Sequence, residues 1–126
     1  MAHSAVAAAV ANDPNGLHRR PIDRAHLARQ TMGDRGLEIE ILKMFDLQIR
    51  AQMAKLQSTS DSAERAMLLH SMKGSAFGVG ARSIGQIALR AERRMQETGE
   101  VGGDLIADLE IAVGEASVHI GEILES

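Results

Sequence analysis

The sequence predicts an all-α fold, an antiparallel four-helix bundle with an additional short N-terminal helix. Apolar residues recur at spacings of three and four along four long segments, and no segment alternates apolar and polar residues as a half-buried strand does. The connections between these segments are short, as in up-and-down bundles. The chain has 126 residues, 44% of them hydrophobic, which suits one domain with a sizeable core.

The N-terminal part of the chain divides into a tail and a short helix. Residues 1–20 are predicted to be a flexible tail, because they combine an alanine-rich stretch with turn-forming residues and lack apolar periodicity. The bundle is assigned to residues 21–126. Its first helix has Asp23 as N-cap and Leu27 as its main apolar residue, and is expected to end at Gly33. Since so short a helix is unstable alone, we expect it to pack on the bundle as a strap.

Aspartates mark the starts of the next two helices. Asp34 precedes the longest periodic segment, and Asp61 lies within the polar run STSDS, with Glu64 three residues later in capping-box spacing. The predicted core faces are Leu37, Ile41, Leu42, Met44, Phe45, Ile49, Met53 and Leu56 in the first of these helices, and Ala66, Leu69, Met72, Ala76 and Val79 in the second.

Glycines separate the last two helices from the rest. Gly78 and Gly80 are expected to end the preceding helix, and Asp104 is expected to open the final one after the loop ETGEVGGD. The predicted core faces are Ile84, Ile87, Ala88, Ala91 and Met95, followed by Leu105, Leu109, Ala112, Val113, Ala116, Ile120, Ile123 and Leu124.

Composition narrows the function classes. The chain has no cysteine, which removes disulfides, thiolate metal sites and cysteine nucleophiles. Its 14 basic and 17 acidic residues give a formal charge of −3, and it has two Phe and no Tyr or Trp, so a nucleic-acid binder is not expected. The apolar stretch 4–11 is far shorter than the ~20 residues of a spanning helix. We therefore expect a cytoplasmic protein without nucleic-acid or membrane partners.

One helical face carries candidate chemistry. His70, Lys73, Gly74 and Phe77 fall at positions i, i+3, i+4 and i+7, and so share a face. Glycine at i+4 leaves the imidazole accessible, although Gly74 costs ~1 kcal/mol relative to alanine inside a helix. An unperturbed imidazole, with a pKa of about 6.5, is a competent nucleophile near neutral pH.

The same residues also have structural interpretations. A lone histidine beside a helix core is often structural, and Gly74 could simply permit close helix packing. Of the other histidines, His3 and His18 are interpreted as tail residues. His26 is interpreted as a surface or short-helix packing residue and His119 as a residue at the end of the bundle. None of them pairs at metal-ligand spacing.

The segment HSMKGSAFGVGA, residues 70–81, resembles the phosphoacceptor motif of histidine-containing phosphotransfer (HPt) domains. That motif is H-x-x-K-G-[SA]-[SA]-x-x-x-G-[LA], and the resemblance extends over roughly residues 22–126. Met72 stands where the family usually has Leu or Ile. The matching residues are His70, Lys73, Gly74, Ser75, Ala76, Gly80 and Ala81.

The resemblance implies a relay protein without its own kinase domain, and hence a carrier and not an enzyme. His70 would accept a phosphoryl group from a receiver-domain aspartate and pass it to another receiver, with Lys73 stabilising phosphoryl charge. Ser71, Gly74 and Phe77 would form the docking face for response-regulator receivers or a hybrid histidine kinase. No cofactor or metal site of its own is implied, since Mg²⁺ would come from the receiver, and a monomer is expected. The alternatives are a receiver-docking module that transfers no phosphate, and a hydrolase with His70 as general base.

Chain reversal gives a further candidate, Glu92. If two helices form an antiparallel hairpin turning near Ala81, His70 and Glu92 lie eleven residues on either side of the turn and face each other. A carboxylate there would accept the Nδ1 proton and leave Nε2 as the nucleophile. In several HPt domains a Gln or Glu on the following helix plays a similar part. Gln86 is the competing candidate, and a solvated Glu92 beside Arg93 and Arg94 is the structural alternative.

Overall fold

The computed structural model describes residues 20–126, and over this range it contains five helices and no strand. The all-α fold class is confirmed. The helices are α1 (Arg24–Gln30), α2 (Arg35–Ser58), α3 (Ser62–Val79), α4 (Arg82–Thr98) and α5 (Gly103–Glu125). The prediction of a flexible tail at residues 1–20 lies outside the described residues except at Arg20, as do His3 and His18.

The four long helices pack in a closed ring. α2 contacts α3 and α5, α4 contacts the same two helices, and α1 lies against α2 and α3. The core is almost entirely aliphatic, and Met72, the residue that departs from the HPt pattern, is fully buried in it. Two residues of the predicted α2 core face lie outside instead, Leu37 at 46% and Met44 at 69% exposure. Met44 precedes buried Ile49 by five residues, which turns it about 140° away from the core.

Helix starts follow the predicted aspartates only in part. The side chains of Asp23 and Asp34 accept hydrogen bonds from the third residue after each, at 3.1 Å. Asp61 caps α3 but accepts from Ala63 N–H (3.0 Å), and its own N–H donates to Thr59 Oγ1, so the reciprocal capping box with Glu64 is not formed. The prediction that Asp104 opens the last helix was wrong by one residue, because α5 begins at Gly103.

Gly80 ends α3 and holds the α1 segment. Its φ of +86° is the left-handed conformation that glycine adopts at helix ends. Asp23 N–H donates to Gly80 O at 2.9 Å, and a Cβ at Gly80 would lie 2.8 Å from Asp23 O. Gly78, also predicted to end the helix, lies inside α3. Among the described helices, none is long and apolar enough to cross a membrane.

Candidate functional site

The α3–α4 hairpin positions the site. The chain turns at Gly80 and Ala81, and these two helices share the most extensive contact of any pair in the described range. The predicted register holds, because His70 Nδ1 lies 2.8 Å from Glu92 Oε2. The structure therefore brings together two residues that are 22 positions apart in the sequence.

Glu92 binds a second predicted site residue with its other oxygen. Lys73 Nζ donates to Glu92 Oε1 at 2.6 Å. Side-chain exposure differs sharply across this His70–Glu92–Lys73 cluster: 72% for His70, 24% for Lys73 and 14% for Glu92. The carboxylate is thus a shielded centre that fixes one exposed imidazole and one half-buried ammonium.

Charge in the cluster favours an ionised carboxylate. The hydrogen bond from Lys73 lowers the pKa of Glu92, burial opposes this shift, and the His70 hydrogen bond and the nearby positive charges lower it further. An ionised carboxylate can only accept hydrogen bonds, so the bonded Nδ1 of His70 must carry a proton. A neutral His70 then presents the lone pair of Nε2 on its exposed side.

Gly74 leaves the surface beside His70 open. A Cβ built at Gly74 would meet no atom within 4 Å, and the same is true at Gly78. Gly74 therefore does not serve helix packing within the described chain, and the access interpretation is the one that fits.

Phe77 is only partly available for docking. Its ring lies against Gly85 of α4, where a Cβ would come within 2.9 Å of three ring carbons, and 38% of the residue stays exposed. Sequence reasoning missed Gly85. The hairpin arithmetic that pairs His70 with Glu92 also pairs Phe77 with Gly85, so a signal for this contact was present.

On the other side of His70, α2 and α3 form a shallow groove. Gln52 Nε2 donates to Ser71 Oγ at 2.7 Å, so the docking residue Ser71 is held by α2. Met67, three residues before His70, lines the groove and is 73% exposed. Sequence reasoning did not single out Met67, although its spacing places it on the His70 face.

Two competing assignments do not fit the geometry. Gln86 is exposed and makes no hydrogen bond to His70 among those described. Arg94 is occupied by Asp104 and the carbonyl of Val101, so Glu92 is not a surface carboxylate paired with it. Within residues 20–126 no three His, Asp or Glu side chains gather as metal ligands would.

Comparisons of the chain with protein families, with curated proteins and with solved structures found no match. The site itself combines an exposed imidazole nitrogen, a carboxylate that fixes the tautomer of the ring, and an anchored cation one helical turn away.

Proposed function

We propose that this chain is a phosphoryl carrier that accepts a phosphoryl group on His70 from a receiver-domain aspartate and passes it to a second receiver. The observation that carries the proposal is the hydrogen bond between His70 Nδ1 and Glu92, which leaves Nε2 free on a ring that is 72% exposed. The motif resemblance at residues 70–81 agrees with this arrangement.

In the accepting step, the Nε2 lone pair attacks the phosphorus of an aspartyl phosphate. The P–O bond to the aspartate breaks, its electron pair leaves with the carboxylate, and a P–N bond forms. The ring keeps its Nδ1 proton and gains positive charge, which the ionised Glu92 at 2.8 Å stabilises. In the donating step a second aspartate attacks phosphorus and the P–N electron pair returns to Nε2.

Lys73 supplies positive charge near the phosphoryl oxygens. Its ammonium, bound to Glu92 at 2.6 Å, lies one turn from His70 and has two further N–H donors to offer. Phosphoryl transfer depends mainly on positioning and charge stabilisation, so a pre-oriented cation is the contribution expected of such a site. Mg²⁺ would be supplied by the receiver.

Docking would use the surface around the imidazole. Gly74 leaves room for the loop that carries the partner's aspartate, and Ser71, Phe77 and Met67 surround it. The partners proposed are response-regulator receivers, one of which could belong to a hybrid histidine kinase. Such partners place the chain in the cytoplasm.

The test is transfer from purified receivers charged with acetyl phosphate. Radiolabel should move to the chain, be acid-labile and alkali-stable, and be absent from His70→Gln. The matched control His26→Gln should label as wild type, because His26 contacts the backbone of Gly78 and not the cluster. Label retained in His70→Gln would overturn the proposal. Receiver binding without label would favour the docking module instead.

A further inference from the structure

The segment that leads into α1 is held to the bundle by a second histidine. We call residues 21–30 the strap. Ile22, fully buried, donates its N–H to Nδ1 of His119 on α5 at 3.1 Å, across 97 residues of sequence. Asp23 N–H donates to Gly80 O at 2.9 Å, and His26 Nε2 lies 3.2 Å from Gly78 O. Three hydrogen bonds thus hold the strap, and His119 accepts the one that reaches α5.

The contact with Ile22 requires a particular state of His119. A backbone N–H can only donate, so Nδ1 must be an unprotonated acceptor and the proton of the neutral ring must be on Nε2. Protonation of Nδ1 would remove the acceptor and place two N–H groups against each other. The amide of the buried residue Ile22 would then have lost its partner.

The surroundings favour the neutral ring. Burial is the largest cause that lowers the pKa of His119, the positive charges of Arg20 and Arg24 lower it further, and Glu122 opposes them. Helix α3 presents the backbone carbonyls of Gly78 and Gly80 to the strap. The charged groups near this junction come from four elements. Arg20 precedes the strap, Arg24 lies within it, and Glu122 lies on α5. Arg35 on α2 donates to Ile123 O, and Arg82 on α4 pairs with Asp23.

We propose that His119 is a pH-responsive latch, whose protonation releases the strap while helices α2 to α5 stay packed. The sign follows from the lowered pKa: the latch contributes fully above about pH 6.5, the unfolded value, and is lost as pH falls through the lower folded value. The bundle survives because only two buried apolar residues of the described core, Ile22 and Leu27, come from the strap.

Release of the strap would affect the C-terminal end of α3, the helix that carries His70. It would free the carbonyls of Gly78 and Gly80, which lie about 12 Å and about 15 Å along the helix from His70 at 1.5 Å per residue. The His70–Glu92–Lys73 cluster shares no contact with the strap among those described, so its hydrogen bonds should persist. Because the cluster should stay intact, opening of the latch can be distinguished from general acid unfolding. The latch does not require that the chain carry out phosphotransfer.

The experiment is an NMR titration of the full chain from pH 8 to 5. We expect His119 to titrate below 6.5, and the protection factor of the Ile22 amide to fall about tenfold along the same curve, the loss of about one hydrogen bond. Far-UV circular dichroism and the core methyl shifts of α2 to α5 should stay constant. Constant protection of Ile22, or loss of core signals in the same transition, would overturn the latch.

Two variants assign the response. His119→Asn places a non-titrating amide oxygen near the position of Nδ1 and should keep Ile22 protected at both ends of the titration. His26→Gln removes the histidine that lies within the strap itself and should leave the acid response unchanged. A response that persists in His119→Asn, or that disappears in His26→Gln, would contradict the assignment, and the wild-type titration decides the matter if either variant fails to fold.

Discussion

Single atoms set the properties of the site at the scale of the residue. Glu92 has two carboxylate oxygens, and each binds a different nitrogen: Oε2 the His70 ring and Oε1 the Lys73 ammonium. A glutamine could not replace it fully, because an amide has one acceptor oxygen and its NH₂ group would face a donor. The role of Glu92 thus requires a charged, two-sided acceptor.

Glu92→Gln should slow phosphorylation of His70 about 10- to 100-fold, the usual cost of losing a residue that orients a reactive ligand. It should also lower stability at pH 7. Because the folded pKa of Glu92 is lowered, its stabilising contribution is present above about 4.5 and lost as pH falls through the folded value. The difference in unfolding free energy from wild type should therefore shrink at pH 3.5, as urea titrations would measure. Exposed Glu97→Gln on the same helix is the control, and equal kinetics in the two variants would remove Glu92 from the site.

Lys73→Ala should slow transfer about 100-fold, as expected when one donor to developing charge is removed. Its effect on the melting temperature should be small, because Lys73 keeps 24% of its side chain exposed and Glu92 retains its hydrogen bond to His70 in the variant. Rapid-quench kinetics with a charged receiver measure the first effect and thermal circular dichroism the second. Lys43→Ala, at an exposed lysine of α2 that does not line the groove beside Ser71, should match wild type in both. Transfer at the wild-type rate in Lys73→Ala would show that the anchored cation has no part in it.

At the scale of the element, the α3–α4 hairpin has one glycine beside open space and another packed against an aromatic ring. Gly74 leaves open space on the His70 face of α3, whereas Phe77, three residues later on the same face, packs against Gly85 of α4 with no space for a Cβ. Both glycines remove a side chain, but only Gly85 is required for packing inside the chain. Substitutions at the two sites should therefore have opposite effects on stability.

Gly74→Gln should stabilise the fold by up to ~1 kcal/mol, because a helix-forming residue replaces glycine where nothing obstructs it. It should also abolish transfer by covering the approach to His70. Gly114→Gln on α5, likewise in open space within a helix, should give a similar stabilisation and normal transfer. Urea unfolding and receiver assays on both variants test this. A stabilised Gly74→Gln that transfers normally would contradict the access role.

At the scale of the whole molecule, Gly80 is the point where the strap, α3 and the hairpin turn meet. Gly80→Ala should cost more than the ~1–2 kcal/mol of a left-handed alanine, because the new Cβ would also lie 2.8 Å from Asp23 O. Gly33→Ala, with φ of +78° and open space around it, measures the backbone term alone. Equal losses of unfolding free energy in the two variants, measured by urea unfolding, would show that the strap moves away from the new Cβ without loss of stability.

Periodicity and chain reversal predicted much of this fold. The α4 and α5 core faces and the opposition of His70 and Glu92 follow from helical spacing and the position of one turn. The Lys73–Glu92 bond was not predicted, because a flexible lysine can reach several acceptors. The exposure of Met44 was missed because apolarity alone does not place a residue on the core side. The role of His119 depends on a contact across 97 residues, which no local pattern encodes.

The exposure of His70 also bears on how long a signal would last. With 72% of its side chain open, the ring has no cover that could keep water from a phosphoryl group on Nε2. The lifetime of a phosphorylated chain would then be set by the intrinsic hydrolysis of an N-phosphoryl imidazole, and folding would protect it little. Such a chain is suited to rapid phosphoryl transfer and poorly suited to retaining the phosphoryl group. The amount of phosphorylated chain would therefore fall soon after the donor stops supplying phosphoryl groups.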